Sequence, residues 1–159
     1  MPREDYPQEL YISGREKRHT ANFHGEESLY RGFSQIDIDD AGQIKLESIR
    51  FPDFSCNWSR FSAPHHVRYR QNGDMTDGCY SFSVETARYK NLANVVHDPV
   101  DDIEYPNYAH VEVRRLMGGE SVDFEPPKGR KWKNAKSLKL EYRQNLLNNH
   151  RIELPIDDS

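Results

Sequence analysis

The chain is poor in cysteine: Cys56 and Cys79 are the only two thiols in 159 residues, and no CxxC pair exists. That excludes a disulfide framework and makes free thiols in a reducing compartment the expected state. No apolar run approaches the ~20 residues of a membrane-spanning helix. The start, MPREDYPQEL, is acidic and polar with no hydrophobic segment behind it, so no secretory signal is read there. The expected location is the cytoplasm, away from membranes, and the NWS triplet at Asn57–Ser59 then carries no glycosylation meaning. Positive charge is also lacking. A net charge of −4 and a pI near 6.0 argue against a surface given over wholly to nucleic acid, although local patches stay open. Apolar residues are scarce at 35%, which allows one modest core, and 11% aromatics supply much of its area. Internal repeats and low-complexity tracts are absent.

What is present reads as one domain. Residues 1–27 are polar and mixed in charge, and are expected to form a flexible arm before a domain spanning 28–159. SLYRGFS, from Ser28, is strand-like. In QIDIDDAGQIKLESIRF, Ile36 and Ile38 alternate with acids, DDAG supplies a turn, and Ile44 and Leu46 resume the alternation, predicting a β-hairpin. A phase slip near Ser48 predicts a bulge. The same run resembles the start of a calcium loop through Asp37, Asp39 and Gly42, but Ala41 and Ser48 stand where two further ligands belong.

Residues 51–78 read as a long connection carrying Phe54, Trp58 and Phe61, with a short helix at Pro64 and turns at QNGD and TDG. Cys79–Phe82 then alternates as a strand. A helix is predicted from Val84 to about Leu92, with Ser83 as its N-cap. YAHVEVRRL predicts a strand with Ala109, Val111 and Val113 on one face, and Tyr108, His110, Glu112 and Arg114 on the other. NAKSLKLEYRQNLLNN is the strongest helix signal, with Asn134 as cap and Leu138, Tyr142 and Leu146 as its apolar stripe. RIELPI predicts a last short strand. The expected fold is α+β: a largely antiparallel or mixed sheet with two or three helices, the longest near the C-terminus.

Three groups of residues offer chemistry. Arg31 in LYRG, Ser81 and Ser83 in YSFS, and Glu112 in HVEV occur in an order that resembles the arginine–serine–glutamate pattern of the ADP-ribosyltransferase family. The resemblance touches only short pieces between residues 28 and 114. The usual central hydroxyl is Phe82 here, and His110 stands two before the glutamate. The resemblance implies an NAD-using transferase or glycohydrolase. Arg31 would fork onto the pyrophosphate, Ser81 or Ser83 would position it, and Glu112 would stabilise charge on the ribose with His110 beside it. Tyr89 or Tyr108 would stack on the nicotinamide. NAD is the cofactor so implied, and no metal is expected. The local alternative is that Ser83 caps a helix and Glu112 pairs with a neighbouring cation.

His65, His66, His97, Asp98, Asp101, Asp102, His110 and Glu112 supply the residue types of a metal-dependent nuclease, without a closed spacing such as HExxH. Finally, KGRKWKNAKSLK, residues 128–139, carries Arg130, Lys131 and Lys133 around Trp132 with no acid between them. Cations neutralise phosphates and an indole stacks on a base, so this segment, with the aromatic loop 51–61, fits a non-catalytic adaptor for a protein or nucleic-acid partner. The bland reading is a solvated basic loop. The sequence leaves open whether the chain is an enzyme.

Overall fold

A computed structural model describes residues 5–50, 53–69 and 77–156 of the chain. Its strands are β1 (Ser28–Phe33), β2 (Phe54–Trp58), β3 (Gly78–Ser83), β4 (Ala93–His97), β5 (His110–Arg115) and β6 (Arg151–Leu154). Two α-helices, α1 (Val84–Ala87) and α2 (Lys136–Asn148), accompany them. The strands form one six-stranded sheet in the order β4-β5-β2-β1-β3-β6, antiparallel throughout. The fold is α+β, dominated by its sheet, and α2 is followed by β6 rather than ending the chain.

Register decides which side chains share a face, because successive strand residues point to opposite sides. Leu29 lies opposite Trp58 and Phe82, and Phe54 lies opposite Val113. These five, with Val111, build the apolar face. Tyr142 and Leu146 of α2 cover it, and the Tyr142 hydroxyl donates to the Ala87 carbonyl at 2.5 Å. The other face is polar and carries Tyr30, Ser55, Asn57, Ser81, His110 and Glu112. Both ends of it are roofed. A 3-10 turn, Pro64–Arg68, packs against β1 and β3. Over β4 and β5, Asn94 Nδ2 donates to the carbonyls of Val122 and Phe124.

Several expectations need correction. Residues 5–27 are packed: Leu10 and Thr20 are fully buried, Tyr6 and Leu10 join Ala109 in a second core cluster, and Phe23 stacks on Trp58 at 4.0 Å. Apart from the run Leu10–Ile12 the apolar residues there are scattered among polar ones, so no periodic face announces the docking. The hairpin at 36–47 shrinks to a single Ile38–Ile44 bridge. Asp39 Oδ1 accepts from the amides of Ala41 and Gln43, which closes the turn, while 3-10 turns at Gln35–Asp37 and Leu46–Ser48 replace the wings. Helix α1 ends at Ala87, because Lys90 and Asn91 adopt positive φ of 52° and 55°.

Ser83 caps α1 as expected, accepting from the Thr86 amide at 3.0 Å. In α2, Tyr142 and Leu146 are buried as expected, but Leu138 is exposed and the cap position falls on Ala135 rather than Asn134. The turn expected at 71–74, part of that at 76–78, and Phe51 lie outside the described residues. Gly78 is sterically required. A Cβ there would sit 2.5 Å from the Phe33 ring and 2.9 Å from the Leu154 carbonyl oxygen.

Candidate functional site

The structure does not gather Arg31, Ser81 and Glu112 into one cleft. Arg31 shares the face of Phe54, with its guanidinium 4.5 Å from that ring. Glu112 lies opposite Ser55, on the other face. Ser81 shares the face of Glu112 but stands three strands away in the order β5-β2-β1-β3, about 14 Å at the usual spacing. Each group has a local partner. Ser81 Oγ donates to Glu153 at 2.8 Å, and Ser83 caps α1. The Tyr89 hydroxyl donates to Glu141, and that of Tyr108 to Asp101.

Glu112 belongs to an internal ion network. Arg114 donates to its Oε1 through Nε at 2.9 Å and Nη2 at 2.6 Å, and through Nη1 to the Pro126 carbonyl. Lys128 reaches both Glu112 (3.5 Å) and Asp98 (3.3 Å). Two carboxylates and two cations balance, so the buried pair Glu112–Arg114 is charge-compensated.

The other sequence-derived groups are dispersed as well. Trp132 is buried and stacks on Tyr142, with Arg115 over its far side at 4.9 Å, so the indole is core rather than a base-stacking platform. Arg130 is paired with Glu120, and Lys131 and Lys133 remain exposed. Residues 54–58 are strand β2, with Phe54 and Trp58 fully buried, so this part of the aromatic loop offers no free rings. His97 is buried in the core. Its Nδ1 accepts from the Arg18 amide, and its Nε2–H donates to the Tyr108 carbonyl. Burial lowers its pKa, only partly offset by that carbonyl. Among the described residues no set of three or more His, Cys, Asp or Glu is placed to hold a metal ion. Burial pushes both thiols up, Cys56 and Cys79 each to about 12, which leaves neither as a ready nucleophile.

Chemistry gathers instead on the polar face, around a cavity of about 310 Å³ lined by Tyr30, Ser55, Asn57, Tyr69, Asn107 and His110 among others. Strand pairing builds it. Asn57 lies opposite His110, which sets Ser55 diagonally across from the imidazole on the same face. His110 Nδ1 is 2.8 Å from the Asp98 carbonyl oxygen. A carbonyl only accepts, so Nδ1 carries the proton and the neutral ring presents Nε2 as an acceptor. Nε2 lies 3.3 Å from Ser55 Oγ, whose hydroxyl therefore donates to it. This is a nucleophile–base pair with an oriented base, at the looser distance usual before substrate binds. Beside it, Asn107 Nδ2 donates to Asn57 Oδ1 at 2.9 Å, and Asn57 Nδ2 to Ser62 Oγ at 3.3 Å. Each carboxamide keeps a second N–H. Arg31 Nη1 donates to the Ser55 carbonyl at 2.8 Å and steadies the strand from the opposite side.

No protein-family model matches the chain, and no curated protein or solved structure matches it either. Among the described residues no helix is long and apolar enough to cross a membrane. Of the cavity residues, the sequence pointed to Arg31 and His110 as candidates. Ser55 and Asn57 had a signal, because in FSCNW they alternate with Phe54, Cys56 and Trp58. That five-residue alternation was masked by Pro52 and by the polar stretch after it.

Proposed function

We propose that the chain acts on the acyl group of a small uncharged ester held in the cavity on the polar face, with Ser55 as nucleophile and His110 as general base. The observation that carries the reading is the pair of contacts of the His110 ring, Nδ1 at 2.8 Å from the Asp98 carbonyl, which sets the tautomer, and Nε2 at 3.3 Å from the Ser55 hydroxyl. In the first step Ser55 Oγ bonds to the ester carbon while its proton passes to Nε2. The carbonyl π pair moves onto oxygen, where the Asn57 and Asn107 amides of the lining would supply donors. Collapse expels the alkoxide, which takes the proton from Nε2. Water then repeats the cycle and releases the acid.

The group orienting His110 is a neutral carbonyl rather than a carboxylate, so the imidazolium gains less stabilisation than in a full triad. That favours esters, with good leaving groups, over amides. Among the described residues the cation of the lining, Arg31, is engaged by the Ser55 carbonyl and the Phe54 ring, which favours uncharged substrates.

An NAD-using reading would need Arg31, Ser81 and Glu112 on one side of the sheet, and their distribution over both faces lends it no support. A nucleic-acid reading of 128–139 would have to rely on Lys131 and Lys133 without the Trp132 ring. The test is labelling with an alkyl fluorophosphonate. Ser55 displaces fluoride and gains the phosphonyl mass in the wild type, Ser55→Ala gains none, and His110→Gln slows the reaction by about 10²–10⁴. An unlabelled wild type, or a label on another serine at an undiminished rate in Ser55→Ala, overturns the proposal.

A further inference from the structure

On the opposite face, a second and smaller cavity of about 160 Å³ lies between the end of β1 and the segment 34–50. Its polar lining is Arg31, Arg50, Ser34, Ser48, Asp37 and Tyr80. Two guanidiniums therefore border one small polar hollow in a chain whose net charge is −4. Among the described residues neither has a carboxylate within ion-pair distance. Arg31 spends one of its five N–H donors on the Ser55 carbonyl and lies on the Phe54 ring, which fixes its plane. Among the described residues the remaining donors meet no acceptor. Asp37, the one acid of the lining, is turned to local work: its Oδ2 accepts from the Ser34 amide at 2.9 Å and lies 3.5 Å from the Ser34 hydroxyl.

We propose that this hollow is a binding site for a small tetrahedral oxyanion, inorganic phosphate in the first instance. The oxygens would be shared between the Arg31 and Arg50 guanidiniums; the Ser48 hydroxyl already donates to the Lys45 carbonyl at 2.8 Å, and the Ser34 hydroxyl would have to turn from Asp37 to add a further donor. Arginine is the residue suited to this, since its planar fork matches two oxygens of one anion and stays charged at every relevant pH. The volume is too small for a nucleotide or a drug-sized ligand, which occupy cavities of about 300 Å³ or more. The lining's net charge of one positive unit suits a single phosphate, whereas the further charges of a polyanion would go unmatched. The two sites touch through Arg31, which lines both cavities and holds the Ser55 carbonyl, but phosphate binding is read through Arg50 and needs neither the Ser55 hydroxyl nor His110.

The experiment is a titration of the full chain with inorganic phosphate at low ionic strength, followed by calorimetry and by amide shifts of residues 31–37 and 48–50. The wild type is expected to saturate, with shifts confined to those residues. Arg50 is exposed, so Arg50→Gln leaves the fold intact and should weaken binding about tenfold or more, the loss of a charge-assisted contact. Arg15→Gln, a control that removes an exposed arginine elsewhere, should change nothing. Asp37→Asn keeps an acceptor for the Ser34 amide while removing the opposing charge, and should tighten binding several-fold. Absence of saturation in the wild type overturns the proposal. So does equal weakening by Arg15→Gln and Arg50→Gln, or weaker binding in Asp37→Asn.

Discussion

Replacing Arg114 with methionine puts the internal ion network to a quantitative test. Arg114 and Glu112 are both nearly inaccessible, at 5% and 7% exposure. The substitution removes three donated hydrogen bonds, two to Glu112 Oε1 and one to the Pro126 carbonyl. Among the described residues the carboxylate left behind keeps only Lys128, at 3.5 Å, whose own side chain is 59% exposed. Stranding one partner of a buried pair costs about 3–5 kcal/mol. Lys128 can move in and compensate in part, so about 3 kcal/mol is expected. For a chain of this length 3 kcal/mol corresponds to a fall in Tm of about 6–12 °C.

Urea denaturation is the assay, with an unchanged m-value required for the reading to hold. Lys128→Met should cost about 0–1 kcal/mol, as an exposed pair does. The double variant Glu112→Leu/Arg114→Met, which leaves no lone charge, should be more stable than Arg114→Met alone. A loss under ~1 kcal/mol for Arg114→Met, or an equal loss for Lys128→Met, would refute the claim that the buried pair rather than the surface lysine carries the energy.

Two further perturbations probe the packing. Leu10→Ala should destabilise by about 2–5 kcal/mol in the same urea assay, because Leu10 is fully buried against Ala109; a cost near zero would mean that the N-terminal segment is not docked. Acidification should also weaken the fold. Burial lowers the pKa of His97 from its usual 6.5, so the folded state prefers the neutral ring. Its contribution is complete above about pH 6.5 and is lost as the pH falls from there toward the lowered value. His66, lowered by burial and by His65 beside it, acts in the same direction. Stability measured from pH 7.5 to 5 should fall, with a smaller slope in His97→Gln; a flat wild-type profile would contradict this.

The parts of the fold legible in the sequence are those whose patterns were local. β3 with its Ser83 cap, β5 and α2 each carry their period or cap within about ten residues. What escaped depends on burial from two sides. β4, with Val95 and Val96 both buried, shows no alternation because each face is covered. The pairing of Glu112 with a neighbouring cation was legible in HVEVRR, but its burial was not: the returning segment roofs Glu112 and Arg114. Trp132 looked like an exposed ring among cations, and the helix that follows it draws it into the core. The candidate site was hidden for a different reason. Ser55 and His110 are 55 residues apart, and only the β2–β5 register sets them on the same face.

Ser55 has a base only if the His110 proton sits on Nδ1, and long-range ¹H–¹⁵N spectra of the imidazole read that directly. The prediction is a protonated Nδ1 and a bare Nε2 in the neutral ring, with the Nε2 resonance moving when Ser55 becomes alanine while Nδ1 stays put. A neutral ring protonated at Nε2, or an Nε2 signal indifferent to Ser55→Ala, would leave the serine without a base and the proposed chemistry without its first step.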